Sequence, residues 1–98
     1  MTKKPHQLRV PDDIVALIRG MHPHLKKKIK GSLQTIVAEP HSGKPLKEEL
    51  AGLRSFQVSR FRIIYRISKK RQIEVVATGP RERIYDETYR IIAREDKG

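Results

Sequence analysis

The sequence contains no cysteine, so neither a disulfide framework nor a thiolate metal site can form. This composition suits a reducing compartment, and we predict a cytoplasmic protein. No apolar run approaches the roughly 20 residues that a membrane-spanning helix needs, so we predict no membrane contact. The basic residues 1–6 lead into no apolar segment, and we therefore expect no signal peptide there.

Familiar catalytic signatures are also missing. The sequence has no P-loop, no glycine-rich dinucleotide fingerprint and no Gly-x-Ser-x-Gly motif. Its histidines fall in the N-terminal tail and in loops, where His22 and His24 have no carboxylate partner to complete a metal site. We therefore expect no metal and no cofactor. An enzyme of this kind has to stabilise charge with arginine.

Acidic residues are scarce: 11 Asp and Glu stand against 22 Lys and Arg, which gives a net charge of +11. Such an excess is typical of proteins that bind a polyanion. A surface charged only for solubility is the alternative, but such surfaces mix both signs more evenly. Arginine, whose planar fork suits phosphate, is concentrated in the second half, at Arg54, Arg60, Arg62, Arg66, Arg71, Arg81, Arg83, Arg90 and Arg94.

Residues 1–98 have the length of one small domain. After a short extended start, Pro11 and the two aspartates that follow it predict a first helix. Apolar residues at helical spacing predict a second helix over residues 24–38, which Pro40 ends. A short break between the two makes them a helical hairpin.

The second half alternates apolar and polar residues, which is typical of strands. Residues 55–67 predict either a strand pair joined near residues 59–60 or one bent strand. Residues 73–78 predict a central third strand that Gly79 and Pro80 end, and apolar spacing over residues 84–92 predicts a final helix. The fold class is therefore α+β: a short N-terminal strand and a helical hairpin packed on a small antiparallel β-sheet of three to four strands, with a C-terminal helix.

Strand alternation places two arginines on one face of this sheet. The odd residues between 61 and 67 are apolar and should meet the helices, which leaves Arg62 and Arg66 on the other, otherwise open face. Arg81 follows the third strand and could join them in a phosphate cradle. Alternatively, the face is merely solvated and its arginines form salt bridges to Glu74 and Glu82.

Three segments of the sequence resemble a known family. Residues 46–55 contain Leu-Ala-Gly-Leu-Arg, residues 56–65 end in Phe-Arg-Ile-Ile-Tyr, and residues 79–85 read Gly-Pro-Arg-Glu-Arg-Ile-Tyr. They are similar, in this order, to the running pattern of the RelE/ParE toxin superfamily. The order of helices and strands matches as well, so the resemblance covers nearly the whole chain.

The resemblance implies a toxin of a type II toxin–antitoxin system. RelE-type members are metal-free endoribonucleases that enter the ribosomal A site and cut messenger RNA, using the ribose 2′-OH as nucleophile on the adjacent phosphate. ParE-type members share the fold but poison DNA gyrase. Both are neutralised by a cognate antitoxin from the same operon. The expected partners are therefore the antitoxin, the ribosome and messenger RNA, with gyrase as the alternative target.

The resemblance also assigns site residues. Arg62 matches the strand arginine that is proposed to stabilise the phosphorane, and Arg81 matches a second catalytic arginine near the leaving group. Tyr85 falls close to a C-terminal tyrosine with a role in proton transfer or base stacking. Further RNA-binding arginines are expected at Arg54, Arg60, Arg66 and Arg83.

The sequence departs from the RelE pattern at the general base. Gln57 and Ser59 stand in place of two strand lysines, and no histidine follows His41. Tyr85 is a poor base at neutral pH, and a glutamate of residues 48–49 could serve only if its loop lies near. Three functions therefore stay open: a messenger RNA endoribonuclease, a gyrase poison, and an RNA-binding relative with weakened catalysis.

Overall fold

The computed structural model describes residues 6–97, with side chains through Glu95. The α-helices in this part of the chain are α1 (Asp12–Arg19), α2 (Pro23–Ala38) and α3 (Arg81–Lys97). The strands are β1 (Gln7–Arg9), β2 (Lys44–Pro45), β3 (Leu53–Val58), β4 (Phe61–Ser68) and β5 (Gln72–Pro80). Short 3₁₀ turns lie at Pro40–Ser42, Glu48–Leu50 and Lys69–Arg71. None of the helices within residues 6–97 is long and apolar enough to cross a membrane.

The strands form one mixed sheet in the order β1-β5-β4-β3-β2. β1 runs parallel to β5, whereas the other neighbours are antiparallel. The α+β prediction is confirmed, because the helical hairpin, the sheet and the C-terminal helix follow in the predicted order. The sheet has more strands than the three to four expected, since the short β1 and β2 join its two edges.

Capping residues set the ends of the helical hairpin. α1 follows Pro11 and carries two aspartates in its first turn, as the sequence predicts. α2 begins at Pro23, one residue before the predicted start, because His22 caps it. The Nδ1 atom of His22 accepts the backbone N–H of His24 at 3.2 Å.

β3 and β4 form a tight hairpin rather than one bent strand. Val58 pairs with Phe61, which leaves Ser59 and Arg60 as a two-residue turn. Ser59 has a φ of 54°, in the left-handed region that such turns use. β4 pairs in turn with β5, which lies between β4 and β1 and so occupies the predicted central position.

Both faces of the sheet are covered. On one face Ile63 and Tyr65 of β4 pack against α1 and α2, as predicted. On the other face Ile64 is fully buried in a cluster with Ile84 of α3. The expectation that this second face is open is therefore wrong. β5 runs to Pro80 and leads directly into α3, which folds back over β5 and β4.

A buried tyrosine ties the loop after α2 to the sheet. Tyr65 has no exposed surface, and its hydroxyl donates to the Pro40 carbonyl at 2.7 Å while accepting the Gly43 N–H at 2.9 Å. Arg54 of β3 donates to the carbonyls of His41 at 3.2 Å and Gly43 at 2.7 Å. Residues 40–43 are thus fixed by side chains of β3 and β4.

Candidate nucleic-acid interface

The backbones of three arginines lie close together where β4 and α3 begin. Arg60 lies in the hairpin turn, and its carbonyl accepts the backbone N–H of Arg81 at 2.9 Å. Arg62 lies opposite Gly79 of β5, and its guanidinium donates to two carbonyls of its own hairpin at 2.9 and 3.2 Å. We refer to Arg60, Arg62 and Arg81 as the arginine cluster.

The arginine cluster forms no ion pair within the described part of the chain. Among the described residues no carboxylate lies within ion-pairing distance, 4.0 Å, of its three guanidinium groups. The first turn of α3 adds the positive end of the helix dipole. From α2, Lys28 Nζ donates to Ser59 Oγ at 3.2 Å, which brings a fourth cation to the hairpin turn. Such an arrangement can bind phosphate and stabilise negative charge that develops on it.

Tyr85 lies one turn beyond Arg81 on α3. Its hydroxyl is 3.2 Å from Ser55 Oγ, and 37% of the residue is exposed. Ser55 pairs with Ile64 and therefore lies on the face of the sheet that α3 covers. The contact orients the tyrosine and leaves part of its ring accessible to a ligand. Strand alternation together with a two-residue turn at residues 59–60 could have identified Ser55, since this register places it on the same face as Arg62.

Arg66, at the other end of this face, is neutralised by two carboxylates. Its Nε lies 3.5 Å from Glu74, and its Nη1 donates to Glu95 at 3.1 Å. The hydrogen bond to Glu95 is the largest influence that raises the pKa of Arg66. The solvated, salt-bridged alternative thus describes Arg66, with Glu95 rather than Glu82 as the second partner.

Two other expected RNA-binding residues lie away from the arginine cluster. Arg54 is half-buried, and its guanidinium donates hydrogen bonds to the loop after α2. Arg83 lines a cavity of about 430 Å³ between α1 and α3, together with Leu17 and Glu87. The structure therefore places the backbones of Arg60, Arg62 and Arg81 near one another, with Tyr85 one helical turn further along α3. Arg54, Arg66 and Arg83 have other surroundings.

The structure also locates the carboxylates that could accept a proton. Glu48 and Glu49 are exposed in a 3₁₀ turn, and Glu49 lines a cavity beside Tyr89. Glu87 lies closer to the strand end, because its Oε2 is 3.6 Å from the position that a Cβ would take on Gly79. Gly79 is the register partner of Arg62. No sequence pattern singles out Glu87, since its place depends on how α3 folds back over the sheet.

No metal centre is evident within the described part of the chain. It holds no group of three or more His, Cys, Asp or Glu side chains that could bind an ion. The rings of His22 and His24 stack with centroids 5.6 Å apart, and His22 Nδ1 is used in capping α2. The two histidines therefore have a local structural role.

The Arg66–Glu95 pair should matter little for stability. Glu95→Gln should lower the free energy of unfolding by less than about 1 kcal/mol, because side chains 34% and 46% exposed are screened by water. It should also leave any phosphate-dependent activity unchanged, since Arg66 lies away from the arginine cluster. Urea unfolding measures the first effect. A loss of several kcal/mol would show that the ion pair holds α3 on the sheet.

The sequence matches one protein-family model. The family model, described as the ParE toxin of the type II toxin–antitoxin system parDE, matches residues 9–85. No curated protein matches this sequence.

Three solved structures have the same fold. A chain of the RelBE2 toxin–antitoxin complex from Mycobacterium tuberculosis aligns with a TM-score of 0.70 at 23% identity, over 80% of this chain and 100% of that chain. An arginine-to-alanine double mutant of the E. coli toxin RelE, in the free state, aligns with a TM-score of 0.74 at 14% identity, over 94% of this chain and 98% of that chain. A chain of the archaeal RelE–RelB complex from Pyrococcus horikoshii aligns with a TM-score of 0.66 at 18% identity, over 80% of this chain and 97% of that chain.

Proposed function

Because this chain belongs to the ParE toxin family of type II toxin–antitoxin systems, we propose that it is a toxin that cleaves messenger RNA on the ribosome without a metal ion. The observation that carries this proposal is the arginine cluster. Its guanidinium groups have no carboxylate within 4.0 Å in the described structure, and Tyr85 lies one helical turn away. Phosphate and its transition state are the ligands that suit such a site.

In the proposed reaction the ribose 2′-oxygen attacks the adjacent phosphorus. A 2′-O–P bond forms and the P–O5′ bond breaks, which leaves a 2′,3′-cyclic phosphate and a 5′-hydroxyl. Arg62 stabilises the extra negative charge of the phosphorane, and Arg81 stabilises the departing 5′-oxygen. One group must accept the 2′-OH proton and another must protonate the leaving oxygen.

Tyr85 and Glu87 are the candidates for these proton transfers. The Tyr85 hydroxyl forms a hydrogen bond with the Ser55 hydroxyl. The Glu87 carboxylate lies near Gly79, which is the register partner of Arg62. The two residues lie on different flanks of α3, so each could serve one side of a bound phosphate. A carboxylate is the better proton acceptor at neutral pH, which assigns the 2′-OH proton to Glu87 and leaves Tyr85 to orient the substrate or donate.

DNA gyrase is the second candidate target, and the family match favours it. The matching family model describes ParE toxins, and the strand lysines of RelE are replaced here by Gln57 and Ser59. On this alternative the arginine cluster contacts DNA or an acidic surface of the enzyme and performs no cleavage. The positive charge would then serve binding alone.

Induction in a bacterial host separates the two targets. We expect translation to stop and new 5′-hydroxyl RNA ends to accumulate at a fixed position within codons. Sequencing of 5′ ends, together with a reporter of DNA damage, measures both outcomes in one culture. DNA damage signalling with intact messenger RNA would identify gyrase as the target and contradict the proposed cleavage.

A cognate antitoxin is the partner that membership of this family provides. We propose that it binds the groove between α1 and α2, a cavity of about 320 Å³. Ile18 and Leu33 give this groove an apolar floor, and Arg19, Lys26 and Lys30 give it a positive rim. An acidic amphipathic segment that folds on binding has the complementary surface.

A further inference from the structure

Two tyrosine rings are exposed on α3. Tyr85 is 37% exposed and Tyr89 is 52% exposed, whereas Tyr65 is fully buried. Leu8 and Leu17 are the other large apolar side chains that are exposed in the described structure. Tyr85 has the hydroxyl of Ser55 as a partner. The function proposed above uses Tyr85 but gives no role to Tyr89.

The rotation of α3 places both rings on one flank of the helix. Ile84 and Thr88 have no exposed surface and fix the side that faces the sheet. Residues four apart lie about 6 Å apart along a helix axis and close to the same side. Arg81, Tyr85 and Tyr89 therefore form a row that starts at the arginine cluster and runs along α3.

The chemistry of this row suits a single strand of nucleic acid. Arg81 supplies a cation for phosphate, and each tyrosine supplies a flat face on which any base can stack. Glu49 lines the cavity of about 210 Å³ beside Tyr89, so a phosphate would be repelled there while an uncharged base would not. The row thus fits a strand whose phosphate lies at Arg81 and whose bases lie over the rings.

We propose that Tyr89 is a second base-stacking platform, which holds a nucleotide one step beyond the nucleotide at Tyr85. The proposal rests on the function above in one respect: single-stranded RNA is taken to enter at the arginine cluster. Tyr89 contacts the substrate away from the reacting phosphate. It therefore contributes to binding and to the choice of base rather than to the chemical step.

The composition of the chain makes this stacking directly observable. The sequence has no tryptophan and three tyrosines, and the third, Tyr65, is buried in the core. Tyrosine fluorescence that responds to a ligand therefore reports Tyr85 and Tyr89. The probe is a 2′-O-methyl RNA tetranucleotide, which the proposed reaction cannot cleave because its 2′-oxygen carries no proton.

Tyr89→Ala removes one stacking ring and should weaken binding of the tetranucleotide about 5- to 150-fold, which is the usual range for the stacking of one base. Tyr89→Phe keeps the ring and should bind like the parent chain. A tetranucleotide with one abasic position should bind the parent and Tyr89→Ala equally well when the missing base is the one that Tyr89 holds. Fluorescence quenching in Tyr85→Phe/Tyr89→Phe serves as the blank.

The outcomes separate this proposal from the function above. Equal affinity of Tyr89→Ala and the parent chain, in an assay where Arg62→Ala weakens binding, would overturn the role of Tyr89 while RNA binding at the cluster stands. If Tyr89→Ala binds every abasic probe more weakly than the parent does, by the same factor as the intact tetranucleotide, Tyr89 does not stack on a base. The stacking role is supported if Tyr89→Ala binds the intact tetranucleotide more weakly than the parent does, and if this difference disappears for one abasic probe. That result stands even if induction in cells reveals no cleavage.

Discussion

If induction of the parent chain arrests growth, as the proposed function requires, Arg62→Ala should abolish that arrest. Removal of a preorganised donor from a developing oxyanion lowers turnover by about 10²- to 10³-fold. Arg62→Lys should recover only part of the activity, because an ammonium group keeps the charge but loses the planar fork that binds two phosphate oxygens. Colony counts after induction and the yield of new RNA ends measure both effects.

Arg66→Ala is the matched control for this experiment. Arg66 lies on the same strand and the same face as Arg62, but Glu74 and Glu95 neutralise it. We expect its removal to leave growth arrest intact. Thermal unfolding of each variant shows that the fold persists, which matters because Arg62 donates to the carbonyl of Ser59. Equal loss of activity in both variants would mean that the charge acts diffusely and that no defined phosphate site exists.

Gly43→Ala should be strongly destabilising. A Cβ at this position would lie 2.5 Å from the hydroxyl oxygen and 2.8 Å from Cε1 of Tyr65. The ring is rigid and fully buried, so it cannot move aside without breaking its bonds to Pro40 and Gly43. Overpacking and lost buried hydrogen bonds together predict a cost of about 2–4 kcal/mol, or roughly 10–25 °C in Tm.

Gly31→Ala provides the comparison for this prediction. Gly31 lies within α2, and a Cβ there would have no heavy atom within 4 Å. We expect stabilisation by about 0.5–1 kcal/mol, because alanine loses less conformational entropy in a helix. In the double variant Gly43→Ala/Tyr65→Phe the closest clash is absent, so its cost should be smaller than the sum of the two single costs. Additive costs would show that the hydroxyl is not the obstacle.

Periodicity predicted the parts of this fold that are decided locally. The helix over residues 24–38 and the strand turn at residues 59–60 depend on apolar spacing and turn position, and both occur close to their predicted bounds. The parallel pairing of β1 with β5 joins residues more than 60 positions apart, and no local pattern encodes it. The path of α3 over the sheet is of the same kind, which is why its second face was expected to be open.

The candidate site divides in the same way. Strand alternation indicates Arg62 and the end of the third strand indicates Arg81, whereas the resemblance of motifs supplies their roles and Tyr85. The proximity of Arg62 and Arg81 follows from one hairpin and one strand–helix junction. Whether an arginine is available depends on distant partners instead. The contacts of Arg66 with Glu95 and of Arg54 with the loop at residues 40–43 arise only in the folded chain. Sequence alone therefore could not separate the cluster from the other arginines.

The pairing of β1 with β5 also limits how early the sheet can form during synthesis of the chain. The residues of β1, Gln7–Arg9, align with Gln72–Glu74, which are made more than 60 residues later. Arg81 joins Arg60 later still, at the start of the last helix. A nascent chain therefore has neither the β1–β5 pairing nor a formed arginine cluster until residues 72–81 have been made. The ribosome that makes this protein therefore cannot meet an assembled arginine cluster before residue 81 has been translated.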